Sequence, residues 1–263
     1  MTRKIWWNDF SASDFDAIDP MKTIAILPIA AVEQHGPHLP VGTDVIINTG
    51  HLEMLAKAAP ADLDIRILPV QPVGKSNEHI WAKGTVSHEA KTLIDSWVEI
   101  GLHVARTGIR KLVIVNSHGG NEEIMGIVGR ELRVRCGLFV VKTSWSRFGA
   151  PAGLISDTEA RQGIHGGEVE TALVLHFRPE LVDMAKAGNF TSVAAAEEVD
   201  YTYLRPTGTH AWSWIASDVH PSGAIGNATL GTAEKGAAIA QNHVDRFLDL
   251  LAEVLRHPVM PEA

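Results

Sequence analysis

Four short polar segments of this chain collect side chains that bind metals or move protons. They are Glu33-Gln34-His35-Gly36 with Asp44 after it, Ser76-Asn77-Glu78-His79, His118-Gly119-Gly120-Asn121, and His165-Gly166-Gly167-Glu168. Their donors are imidazole nitrogen and carboxylate oxygen, a set that suits zinc, manganese or ferrous iron, with geometry needed to choose among them. Any one segment reads equally well as a solvated loop. Four of them at successive element boundaries, without a thiolate among them, point to one metal-dependent hydrolytic site.

The spacing within each segment refines this. Glu33 and His35 are two apart, so an extended chain turns both to one face. Asp44 taken alone is a helix-capping carboxylate beside Thr43. Beside Glu33 and His35 it is better suited to bridging two cations, which needs a short side chain with two oxygens. The glycines after His118 allow a tight turn and leave room for a ligand. His165 and Glu168, three apart, are expected on one side of a helix start. Glu170 is offset from Glu168 by about 200° at the helical period and is expected to face elsewhere.

The elements that must position these residues alternate. Residues 23–32 (TIAILPIAAV) form an apolar run of strand length that ends in a Pro- and Gly-rich loop. A helical pattern follows from Asp44 to Ala59, a strand from Ile65 to Val73, and an amphipathic helix from Leu93 to Thr107 that stops at Gly108. KLVIVN at 111–116 is the clearest buried strand, and it is followed by a helix over 122–135 and a strand over 138–143. EVETALVLHF after Gly167 reads as a helix, residues 193–231 as long loops over the site, and 235–256 as a closing amphipathic helix. This alternation predicts an α/β fold: a three-layer α/β/α unit with a mostly parallel sheet, as one domain over 1–263. At the carboxyl edge of such a sheet, segments distant in sequence share a crevice.

Composition narrows the partners. The 263 residues are 45% apolar and 21% charged, ordinary for a globular chain. A formal net charge of −8 argues against a nucleic-acid partner. The single cysteine, Cys136, excludes an intramolecular disulfide and thiolate-rich metal sites. No apolar stretch is long enough to span a bilayer and the N-terminal segment lacks the apolar core of a signal peptide, so a cytoplasmic location without a membrane partner is expected. A nucleotide-binding module has no support, since neither G-x-G-x-x-G nor a P-loop follows any strand.

LPIAAVEQHGPHLPVGTD, NSHGGN and HGGEVET together resemble the creatininase family of metal-dependent amidohydrolases, over about residues 24–238. The resemblance implies two divalent metal ions per subunit (Zn2+, Mn2+ or Fe2+), a small-molecule substrate and a homohexamer. It implies that Glu33 and His118 ligate one metal and His35 the other, that Asp44 bridges them, and that His165 is the histidine that shuttles protons. In creatininase itself a glutamate two residues after the histidine matching His118 completes the second metal. That position is Gly120 here, and Glu168 is the expected substitute. Ser76 and Glu78 match the family's G-x-S-x-E-H segment, with Trp81, Ala82 and Lys83 where a phenylalanine and proline often follow.

The activity expected is hydrolysis of a C–N bond in a small cyclic amide or formamide by a hydroxide shared between the metals. His165 protonates the leaving nitrogen, and Glu78 or Glu170 supports it. The family also includes creatininase itself, a peptidase that trims a redox-cofactor precursor and a hydrolase that opens an oxidised inositol at a C–C bond. Ser76, Gly119, Trp145, His210 and Trp212 are the residues expected to contact substrate, the tryptophans offering a flat wall.

Overall fold

The structure, a computed structural model, describes residues 3–259. In chain order the elements are β1 (Ile24–Ile29), α1 (Thr43–Ala58), β2 (Ile65–Ile67), α2 (Ala90–Arg106), β3 (Lys111–Asn116), α3 (Glu122–Cys136), β4 (Phe139–Ser144), α4 (Asp157–Gln162), α5 (Glu168–Phe177), β5 (Asn189–Phe190), α6 (Ala194–Asp200), α7 (Ala216–Val219), β6 (Gly226–Asn227) and α8 (Ala233–Arg256). The main sheet has the order β2-β1-β3-β4, and every pairing in it is parallel.

Alternating side chains on buried strands build two cores. Ala25, Leu27 and Ile29 face α2 and α3, where Leu93, Trp97, Val128 and Leu132 close one layer. Ile24 and Ile26, with Val113 and Val115, face α1 and α8 and meet Leu52, Leu55, Phe247 and Leu251. The three-layer α/β/α architecture expected from the sequence is therefore present. The strand expected over 65–73 is shorter, ending at Ile67. Pro69 and Pro72 lack the N–H a ladder needs, although Leu68 and Gln71 still donate to the Ile26 and Pro28 carbonyls at 2.9 Å. Residues 193–231 are mostly irregular, as expected, but include α6, α7 and β6.

Because all four strands run one way, their last residues share an edge, and the loops after β1, β2 and β3 lie side by side there. The 165–168 segment reaches the same edge by a different route. His165 pairs with Ile225 through two backbone hydrogen bonds. α5 then packs tightly on α1 and α8, because a Cβ at Gly50 would lie 2.5 Å from the Phe177 ring and one at Gly236 would collide with the Ala172 backbone.

Asn48, fully buried on α1, joins the strand ends beneath the site. Its Nδ2 donates to the Ile29 carbonyl (2.8 Å), and its Oδ1 accepts from Trp145 Nε1 (3.1 Å). Ser117 Oγ donates to the Asp44 carbonyl at 2.9 Å. Trp145, expected to contact substrate, is instead core: it is 2% exposed, stacked on His51 at 4.5 Å and edge-on to Phe247. Its position right after β4 turns it under the sheet edge, into the α1/α8 layer. Among the described residues no helix is long and apolar enough to cross a membrane.

Asn48→Ala leaves the Trp145 N–H without a partner in the core. We expect urea unfolding to show a loss of roughly 1–3 kcal/mol, and an unchanged midpoint would contradict this role.

Candidate metal centre

The loop after β1 brings in Glu33 and His35, and the first turn of α1 brings in Asp44. The loop after β2 adds Glu78 and His79, and that after β3 adds His118. Glu33, His35, Asp44 and His118 are each at most 5% exposed. Glu33 Oε1 lies 3.1 Å from His118 Nδ1, 3.5 Å from His79 Nε2 and 3.6 Å from His165 Nδ1. Asp44 presents one oxygen to each of two histidines: Oδ1 is 3.4 Å from His35 Nε2, and Oδ2 is 3.5 Å from His118 Nδ1.

Three of the rings are fixed by backbone carbonyls. His35 Nδ1 bonds to the Glu33 carbonyl (3.0 Å), His118 Nε2 to the Lys75 carbonyl (2.7 Å), and His165 Nε2 to the Gln34 carbonyl (2.6 Å). A carbonyl only accepts, so each of these nitrogens carries its hydrogen and the other nitrogen of the ring faces the carboxylates. His35 Nε2 and Asp44 Oδ2 are buried with no hydrogen-bond partner. Lone pairs aimed at lone pairs across 3.1 to 3.6 Å are what a cation resolves. The residues present therefore fit a metal, and they do so on geometry alone.

The electrostatics agree. Burial opposes charge on His35 and His118, yet the carboxylates outweigh it and carry both imidazoles up to about 10: Asp44, Glu170 and Glu33 for the first, Glu33, Asp44 and Glu78 for the second. Burial also opposes ionisation of Glu33, which His118, His165 and His79 nevertheless hold well below the carboxylate range. Asp44 is pushed up by burial and by Glu33. Without a metal, protons supply the positive charge that this cluster needs. His165 behaves differently: burial, with His35 and His79 beside it, holds it well below 6.5. It stays neutral, sandwiched between His35 at 4.1 Å and His79 at 4.2 Å.

Among the described residues, four groups of three donors have their ligand atoms within 4.8 Å of one another: Glu33-Glu78-His118, Glu33-His35-Asp44, Glu33-His79-His165 and His35-His165-Glu170. Of the five residues expected to bind metal, Glu33, His35, Asp44 and His118 meet here. Glu168 does not, because its buried carboxylate is paired with Lys235 of α8. Glu170 stands in its place, with Oε2 3.8 Å from His35 Nε2 and accepting the Gly166 N–H at 2.5 Å.

The expectation failed because His165 is not on the helix. It lies in an extended pair, the chain turns at Gly166 (φ +59°), and α5 begins only at Glu168. Glu170 is thus the third helical residue, the position whose carboxylate reaches back over the helix start. Gly120 admits no side chain, since Glu78 Oε1 and His118 Nε2 each lie 2.5 Å from where a Cβ would stand. Glu78 fills that space, 3.5 Å from His118.

Ser76 is fully buried and donates to Glu33 Oε2, so it orients a donor carboxylate. Gly119 is exposed, with open space where a side chain would be. His210 and Trp212 bond elsewhere: Trp212 Nε1 donates to Glu197 on α6, and His210 packs edge-on to Tyr203. The Arg205–Ala211 bridge closes that segment on itself, which gives these rings local partners in place of the pocket role expected of them. His79 and Gln34 were missed as functional residues, although both stand inside the segments that the sequence singles out. Gln34 Nε2 donates to His79 Nδ1 at 2.7 Å and to the Gly223 carbonyl at 3.1 Å.

The family model for creatininase, described as creatinine amidohydrolase, matches residues 8–251. The mycofactocin precursor peptide peptidase of Mycobacterium ulcerans (strain Agy99) is 32% identical over 238 residues, covering 86% of this chain and 84% of that protein. The creatinine amidohydrolase of Pseudomonas putida is 26% identical over 274 residues, 96% of this chain and 98% of that protein. Among solved structures, a manganese creatininase superposes with a TM-score of 0.76 at 22% identity, over 97% of this chain and 100% of that one. The parallel sheet, the donor cluster at its carboxyl edge and the near full-length match lead to one conclusion: the chain belongs to the creatininase family of metal-dependent hydrolases.

Proposed function

We propose that this protein hydrolyses the C–N bond of a small cyclic amide or formamide, using two divalent cations (Zn2+, Mn2+ or Fe2+) per subunit. The observation that carries the reading is the fixing of His35, His118 and His165 by backbone carbonyls, with their other nitrogens turned on buried carboxylates. Glu33, Glu78 and His118 would hold one cation and His35 with Glu170 the other. Asp44 would span both, since it already offers one oxygen to each histidine. When bound, the cations supply Lewis acidity and acidify a water.

The chain's own residues do the rest. His165 Nδ1, 3.6 Å from Glu33 Oε1, has no proton of its own and faces the donors. It accepts a proton from the attacking water and passes it to the leaving nitrogen. The Gln34 carbonyl and the flanking rings hold the imidazole still, so the transfer needs no swing of the side chain. The Glu78 and Glu170 side chains, 17% and 23% exposed, mark the open side by which substrate enters, next to Gly119. The reading includes a cytoplasmic homohexamer folded as one domain over the whole chain, acting without nucleic-acid or membrane partners.

A second reading, cleavage of a peptide amide, is favoured by the 32% identity to a protein named as a peptidase, against 26% to one named as an amidohydrolase. Both break the same kind of bond. Metal-loaded protein incubated with creatinine, lactams, N-formyl amines, short peptides and an oxidised inositol, with products identified by mass spectrometry, separates them. Opening of the inositol with every amide untouched would overturn both.

Two substitution experiments test the assignments. Glu170→Gln is expected to lose one bound cation by elemental analysis while Glu168→Gln retains both, and the reverse result would restore the assignment expected from spacing. His165→Ala is expected to keep its cations and lose about 10²–10⁴-fold in turnover, the usual worth of a placed acid-base group. A metal-free His165→Ala protein would make that ring a ligand.

A further inference from the structure

Glu159 takes no part in the chemistry above, yet it is buried, 8% exposed, and has no cationic side chain paired with it among the described residues. It stands at the third position of α4 in Ser156-Asp157-Thr158-Glu159, the pattern of a capping box. Half of that box forms, with Ser156 Oγ accepting from the Glu159 N–H at 3.2 Å. The carboxylate should reach back to the start of its own helix. It turns away, and Oε1 accepts from the Glu168 N–H (2.9 Å) and the Asn227 N–H (3.1 Å) while Oε2 accepts from Asn227 again (2.9 Å).

The backbone is cleared for it. A Cβ at Gly167 or at Gly226 would lie 2.6 Å from Oε1. Glu168 is the first residue of α5, so the carboxylate also sits at the positive end of that helix dipole. Glu168 and Asn227 follow the two extended pieces that pair through His165 and Ile225. One buried charge thus closes the end of that pairing and fixes the start of the helix that carries Glu170.

We propose that Glu159 is a positioning residue: a clamp that holds the His165-Gly166-Gly167-Glu168 turn in register with Asn227, and thereby sets Glu170 against His35. This rests on the metal reading above for its consequence, though not for the clamp itself.

The test titrates wild type, Glu159→Ala and Glu159→Gln with Mn2+ alone by calorimetry and follows backbone amide exchange over residues 165–168 and 225–227. Glu159→Ala is expected to weaken one of two Mn2+ sites by about 10–100-fold, the usual cost of removing a group that supports a ligand, and to leave the other unchanged. Exchange in both segments should speed up, and Glu159→Gln, which keeps Oε1 as an acceptor but loses the charge and the second acceptor, should fall between wild type and Glu159→Ala. Two unaltered sites and unaltered exchange in folded Glu159→Ala would overturn the inference. Wild type that binds no Mn2+ would overturn the metal reading, and the exchange data would still decide the clamp. Should Glu159→Ala not fold, Gly167→Ala displaces Oε1 directly and is expected to give the same two changes.

Discussion

The structure depends on burying two carboxylates, Glu33 and Asp44, within reach of the same imidazoles. Removing like charges from water is costly unless positive charge accompanies them. Among the described residues no lysine or arginine is paired with them. The fold surrounds them with histidines whose outward nitrogens are occupied by main-chain carbonyls, so the inward nitrogens are available to accept a proton or a cation. The carboxylates carry His35 and His118 up to about 10 against the burial that opposes their charge, so the cluster favours positive charge.

The carbonyls that fix these rings belong to Glu33, Gln34 and Lys75, within the loops that carry the donors. Loop conformation and ring tautomer are therefore one problem. A shift in the loop after β1 would release the His35 and His165 rings together, because both hang from its main chain. That explains why Gln34 is buried and multiply bonded, to His79, to Gly223 and, through Oε1, to the Gly36 N–H at 2.8 Å. It also explains why the loops need a rigid support. The parallel sheet provides it, with Asn48 and Trp145 joining the strand ends from below.

What the sequence disclosed followed from how local each cause was. KLVIVN is buried on both faces and carries no breaker, so its bounds at 111–116 are those of β3. The 65–73 strand failed where prolines removed donors. Glu33, His35 and His118 could be read because they lie in the polar segments that follow β1 and β3, and Asp44 because it stands in the first turn of α1. Glu168 misled because phase along a helix was applied to a residue ahead of the helix. Trp145 misled because an aromatic beside a loop looks the same whether it faces substrate or core. His79 showed no separate signal beyond its segment, and its role rests on an amide 45 residues away.

Three carboxylates crowd the start of α5, and each meets a different set of neighbours. Placed together without compensation they would repel, and burial would raise the cost. Glu159 is satisfied by main-chain N–H groups at the helix start, and Glu168 by Lys235 reaching across from α8. Glu170 accepts the Gly166 N–H, and among the described residues its ion-pair partner is His35 at 3.8 Å. Burial pushes it up to about 7, with Asp44 and Glu33 adding to the push against the pull of His35. Of the three, it alone lies against His35, so which carboxylate faces the cluster is set by the neighbours of the other two as much as by its own position.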